Sequence, residues 1–72
     1  MYQNIKNLRE DADLTQHQIA QLLNISQTTY SRYESGKLDI PSLSLIKLAS
    51  FYKTSVDYLL GLTNNKTPYS KK

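Results

Sequence analysis

The chain has no cysteine, so it can form no disulfide, no iron–sulfur centre and no cysteine-rich zinc scaffold. It has a single histidine, His17, with no carboxylate cluster beside it, so no metal site or cofactor is expected. Long apolar runs are also missing. None approaches the span of a bilayer, and the opening "MYQNIKNLRED" has no signal-peptide pattern. The expectation is a soluble cytoplasmic protein without membrane partners. There is no nucleophile–base pair and no phosphate loop, and 72 residues supply little wall for a catalytic cleft. An enzyme is therefore disfavoured, and no small-molecule ligand is expected. At this length one modest core is the limit, held by well-packed helices or by association.

Charge of one sign is scarce where it would matter. The net charge is +3 and the pI near 9.3, which invites a nucleic-acid reading. But Lys66, Lys71 and Lys72 carry the excess. Six basic residues (Lys6, Arg9, Arg32, Lys37, Lys47, Lys53) face six acids (Glu10, Asp11, Asp13, Glu34, Asp39, Asp57) over residues 1–62. Bulk charge is therefore a weak signal, and the positions of particular groups must decide.

What is present is helical periodicity and capping chemistry, which predict an all-α domain of five helices over residues 1–62, followed by a polar, basic, disordered tail at 63–72. Ile5, Leu8 and Ala12 predict a first helix from about Gln3 to Asp13. Thr15 and Gln18 fit a capping box that opens a second helix with Ile19, Ala20 and Leu23 on one face. Asn24 suits the left-handed stop. Ser26 caps a third helix that runs to about Ser35, with Tyr30 and Tyr33 apolar and Gly36 as the terminator. Pro41 marks entry to a fourth, lined by Leu45, Leu48, Ala49 and Tyr52 and ending near Thr54. Ser55 caps a short fifth, "VDYLL", which Gly61 stops. Tyr2, Tyr52 and Tyr58 read as packing residues.

Only Asn24 and Ile25 separate the second helix from the cap of the third. So short a turn makes the helices cross steeply, with Ala20 small enough for the contact and Ile25 tucked into the angle. This is a helix-turn-helix unit, whose second helix enters a DNA major groove. Its first turn is filled with Ser26, Gln27, Thr28 and Thr29, hydrogen-bonding groups that build little core. Gln27 can pair bidentately with adenine, Thr28 can donate to a base or pack on a thymine methyl, and Arg32, on the same helix face, can fork onto guanine or phosphate. The alternative is a merely solvated polar face. Thr15, Gln16, Ser26, Thr29, Ser31 and Lys37 are expected at the DNA backbone.

The residues Thr15-Gln16, Ile19-Ala20, Leu23-Asn24-Ile25-Ser26, Tyr30-Ser31, Glu34 and Gly36, with "IKLASFYKTSVDYLLG", resemble the lambda repressor and Cro-like helix-turn-helix family over about residues 3–62. That resemblance implies a five-helix fold and a transcriptional regulator, expected to repress. It implies binding as a homodimer to palindromic double-stranded DNA, base contacts at Gln27, Thr28 and Arg32, and a Gln16 that grips phosphate and buttresses Gln27. It further implies an ion pair between Arg9 and Glu34; the alternative is two unrelated surface charges. Two positions depart from the family pattern. Asn24 stands where glycine is usual. Tyr30 stands where an aliphatic residue is usual, so its hydroxyl is expected to reach solvent or a phosphate. Leu60 and Leu62 are the apolar patch expected at a dimer interface. A protein-interaction module of the antitoxin type, or a restriction–modification controller, remains the alternative function.

Overall fold

The structure, a computed structural model, describes residues 2–66; Lys71 and Lys72 and the rest of the tail from 67 on lie outside the described residues. Five α-helices follow one another: α1 (Gln3–Asp11), α2 (Gln16–Leu23), α3 (Gln27–Ser35), α4 (Ser42–Tyr52) and α5 (Val56–Leu59). No strand occurs among the described residues. The core is one cluster that gathers Ile5, Ile19, Ala20, Leu23, Tyr30, Tyr33, Ile40, Leu48, Ala49 and Leu59, with Tyr2, Leu8, Leu14, Ile25, Leu45 and Tyr52 packed against it.

The helix ends follow from local chemistry. Thr15 Oγ1 accepts from Gln18 N at 3.1 Å while Gln18 Oε1 accepts from Thr15 N at 2.8 Å. This reciprocal box satisfies two donors that the first turn would leave open. Asn24 ends α2 at φ 59°, in the left-handed region, and Ser26 Oγ accepts from Thr29 N to start α3. Gly36 ends α3 at φ 82°, a backbone angle that favours glycine. Ser55 Oγ accepts from Tyr58 N to start α5.

Two helices are shorter than their periodicity suggests. α1 stops at Asp11 because Asp13 turns left-handed at φ 57°. Ala12 is the capping residue and is exposed, so the apolar stripe of α1 is Ile5 and Leu8 without it. α4 stops at Tyr52, with Lys53 left-handed at φ 55°. The Thr54 amide then donates back to the Ala49 carbonyl at 2.9 Å.

Tyr30 is fully buried, and its hydroxyl reaches neither solvent nor a surface where a phosphate would sit. The expectation for this residue is overturned: the α3 position is a core position, and the ring is accommodated whole. The chain after α5 stays against the bundle as far as Lys66, whose carbonyl accepts from the buried Thr54 hydroxyl at 2.6 Å. At the other end Asn4 Nδ2 donates to the Tyr58 carbonyl at 2.7 Å, joining α1 to α5.

Lys53 carries a side chain through a left-handed turn, where a Cβ costs about 1–2 kcal/mol. Lys53→Gly should therefore raise stability by about 0.5–1 kcal/mol, the larger entropy that glycine loses on folding offsetting part of the gain. Thermal unfolding should show this as a rise of a few degrees. A lower midpoint would mean that the lysine stem contributes more than its backbone angle costs.

Candidate nucleic-acid interface

α3 has two faces. Inward, at i, i+3 and i+4, it buries Tyr30, Tyr33 and Glu34. Outward, Gln27, Thr28, Ser31, Arg32 and Ser35 form one polar face. With Gln16 from α2 and Lys37 from the turn after α3, they line an open concavity of about 410 Å³. No acidic residue lines it, and Arg32 and Lys37 are exposed. The surface therefore offers hydrogen-bonding side chains and two positive charges with no carboxylate to repel an anion.

The residues singled out for DNA do not all stand in this concavity. Gln27, Thr28, Arg32, Gln16, Ser31 and Lys37 line it; Thr15, Ser26 and Thr29 do not. Thr15 is engaged in the cap of α2. Ser26 Oγ accepts from Thr29 N at 3.1 Å and donates to Thr29 Oγ1 at 2.9 Å. Ser35 lines the concavity and was not singled out. Its position, four residues after Ser31 and eight after Gln27, places it on the same face.

Behind this surface lies a charged junction. Glu34 is 4% exposed. Arg9 meets its carboxylate through Nε at 2.9 Å and Nη2 at 3.1 Å, and its Nη1 donates to the Leu14 carbonyl at 2.8 Å. Gln16 Nε2 donates to Glu34 Oε1 at 3.3 Å. The structure thus ties Gln16 to Glu34, and no hydrogen bond joins it to Gln27. Burial alone would raise the Glu34 pKa; the Arg9 bonds, with help from Tyr30 and Gln16, outweigh it and hold the carboxyl below its ordinary range. The Glu34 bond also raises the Arg9 pKa. The Tyr30 hydroxyl is buried beside this charge without a hydrogen bond of full geometry, and burial first, then Glu34, pushes its pKa up.

His17 is exposed, and no group of side chains suited to a metal occurs among the described residues. Leu60 is half-buried, whereas Leu62 is 73% exposed. Larger apolar exposure lies where no patch was expected, on the outer side of α4. Leu43 is 81% exposed and Ile46 57%, with Phe51 also exposed nearby.

A family model described as helix-turn-helix matches residues 5–59. The chain is 38% identical over 66 residues to YobD of Bacillus subtilis, an uncharacterized HTH-type transcriptional regulator, covering 92% of this chain and 59% of that protein. It is 37% identical to RstR, a transcriptional repressor of a cryptic phage in Vibrio cholerae, over 82% of this chain and 53% of RstR. It is 36% identical to BcrR, a transcriptional activator of Enterococcus faecalis, over 82% of this chain and 29% of BcrR. The chain thus spans from under a third to about three fifths of the curated relatives it matches. A transcriptional regulator from Listeria innocua has a similar crystal structure, with a TM-score of 0.81 and 34% identity, covering 89% of this chain and 60% of that one.

Glu34 is buried and the Arg9 side chain is 12% exposed, so removing either partner alone should cost up to about 3–5 kcal/mol, because the other charge is left largely covered and unpaired. Chemical unfolding of both single variants and the double variant would measure the coupling; purely additive losses would show that the two charges act separately. The pair also sets an acid limit. A carboxyl whose pKa is lower in the fold than its ordinary 4.5 stabilises the fold above that ordinary value. The contribution disappears as pH falls through the lower folded value. Glu34→Gln should remove this part of the acid dependence. An unaltered acid profile would place the titrating group elsewhere.

Proposed function

The chain belongs to the lambda repressor/Cro-like helix-turn-helix family, and on that premise we propose that it is a sequence-specific DNA-binding regulator of transcription that reads the major groove with α3. The observation that carries this reading is the acid-free concavity on the outer face of α3. There Gln27, Thr28 and Arg32 stand together with Gln16 and Lys37. In the proposed complex Gln27 pairs with an adenine, Thr28 contacts a base, and Arg32 takes a guanine edge or a phosphate. Gln16, Ser31 and Lys37 hold the backbone, with Thr15, Ser26 and Thr29 beside them at the helix N-termini, where open N–H groups favour anions. The chain acts in the cytoplasm, where its DNA is.

Its proposed effect is repression, by occupancy of the site; one relative is named a repressor and another an activator. A footprint across the protein's own upstream region, with a reporter fused to it, tests both site and sign. Protection with falling expression supports repression. Protection with rising expression reverses the sign while keeping the DNA reading. No sequence preference in a selection from random duplexes would overturn that reading.

Gln27→Ala should weaken binding to the preferred site by about 1–3 kcal/mol and leave binding to random duplex nearly unchanged. Equal losses on both would remove Gln27 from the reading role. Anisotropy titrations with the two duplexes measure the difference.

We also propose that two copies bind one palindrome, with half-site centres about 34 Å apart. The apolar side chains available for that contact include half-buried Leu60, exposed Leu62 and, on α4, Leu43 and Ile46. Such a patch suits an interface under about 1,200 Å², too small for tight association off DNA. Leu62→Glu and, separately, Ile46→Glu should each be compared for cooperative binding to a palindrome. Loss with one and not the other identifies the face, with half-site binding retained. Sedimentation showing one chain per palindrome at saturation would overturn the dimer.

A further inference from the structure

A second concavity, about 310 Å³ in volume, is lined by Lys6, Arg9, Gln16, Ser31, Glu34 and Ser35. It shares Gln16, Ser31 and Ser35 with the first, so the two form one continuous groove. That groove runs from the outer face of α3 across the α2 N-terminus to α1.

The charges along this extension are unequal in what they can offer. Arg9 is spent: its Nε and Nη2 are on Glu34 and its Nη1 is on the Leu14 carbonyl. Glu34 and Arg9 cancel in charge. Lys6 is half-buried and makes no ion pair among the described residues. It lies one helical turn before Arg9, on the same side of α1. Its lining residues therefore carry a net charge of +1, supplied by Lys6, whose nearest acid along α1 is Glu10, one turn on and outside the lining. Gln16 stands in both concavities, with one amide hydrogen on Glu34 and the rest of its amide free to meet a ligand.

We propose that Lys6 holds a phosphate of the DNA backbone, lying beyond those gripped by Gln16 and Lys37, so that the contacted strand passes from α3 along the groove to α1. This rests on the DNA reading above and extends its footprint to a helix outside the helix-turn-helix unit. Lys6 supplies affinity without sequence preference, since a phosphate carries no base information. Its long stem lies along the groove and brings the ammonium to the anion.

The test uses the full chain and a fluorescent random-sequence duplex, with affinity followed over roughly 50 to 200 mM salt. Each phosphate contact contributes about 0.9 to the slope of log K against log salt. Lys6→Gln and Lys6→Met should both flatten that slope by about 0.9, so that the wild type loses about 3.5-fold more affinity than either variant across this range. Lys6→Arg keeps the charge and should keep the slope. Thermal midpoints of all three variants report any change in the fold separately from the slope. Wild-type slope in Lys6→Gln and Lys6→Met overturns the proposal and leaves the DNA reading intact. A flattened slope in Lys6→Arg as well overturns it too, because the effect would then follow shape and not charge. If the wild-type chain itself shows no salt-dependent binding to any duplex, the DNA reading falls and the role of Lys6 falls with it.

Discussion

The carboxylate of Glu34 is the point through which the first three helices are held in one arrangement. Its oxygens take two bonds from Arg9 on α1 and one from Gln16 on α2. Its backbone carbonyl accepts from the amide of Tyr2, just before α1. Arg9 in turn holds the Leu14 carbonyl, in the turn that leads into the cap of α2. A buried ion pair gives little net stability over a well-packed apolar contact, since desolvation consumes most of the attraction. What it supplies here is direction. Apolar side chains tolerate a helix sliding or rotating by small amounts; a two-pronged guanidinium–carboxylate contact does not.

The turn between α2 and α3 depends on backbone chemistry more than on packing. Asn24 goes left-handed, and the Ile25 amide closes back on the Ala20 carbonyl at 2.9 Å. Ser26 then caps α3 at once. The chain thus leaves one helix and enters the next without spare residues, so the crossing is set by three successive conformations. Ala20, 1% exposed, is small enough to let the two helices meet there. The result is that Gln16, at the start of α2, comes beside the middle and end of α3, although it is 18 residues from Glu34 in the chain.

Much of this is legible in the sequence because capping is local. Thr15 with Gln18, Asn24, Ser26, Gly36 and Ser55 each announce a helix end through their own side chain or its absence. Less legible are ends imposed by the rest of the fold. Asp13 and Lys53 turn left-handed; aspartate only tolerates that region and lysine gives no signal of it, so α1 and α4 are shorter than their apolar spacing suggests. α4 is apolar on more than one side, yet the stripe its spacing predicts, through Leu45, Leu48, Ala49 and Tyr52, is the one that faces inward. That leaves Leu43 and Ile46 outside. Tyr30 misleads because a hydroxyl argues for water. Here the ring fills the core completely and its oxygen lies beside Glu34, where burial keeps it protonated. Tyr52 follows the same logic: its hydroxyl is buried without a hydrogen-bond partner, and burial pushes its pKa up to about 12. Of the candidate interface, the residues on α3 follow from helical spacing. The engagement of Gln16 by Glu34 and the extension to Lys6 require the tertiary fold.

α3 also shows why the ion pair and the polar surface belong together. Its buried residues are Tyr30, Tyr33 and Glu34, and none is a simple aliphatic. Its exposed face is Gln27, Thr28, Ser31, Arg32 and Ser35. A helix with so little apolar contrast has no strong preference for one rotation about its axis. A turn of one residue, about 100°, in the direction that exposes Glu34 would bring Thr29 and Arg32 toward the inside. Apolar burial resists this through the rings of Tyr30 and Tyr33, the large groups at stake. The Arg9–Glu34 contact resists it as well, because exposing Glu34 would leave the largely covered Arg9 without its partner. The face of α3 that meets the outside is therefore chosen from the inside, by one carboxylate and two rings, and its own outward residues are left free to be whatever a ligand requires.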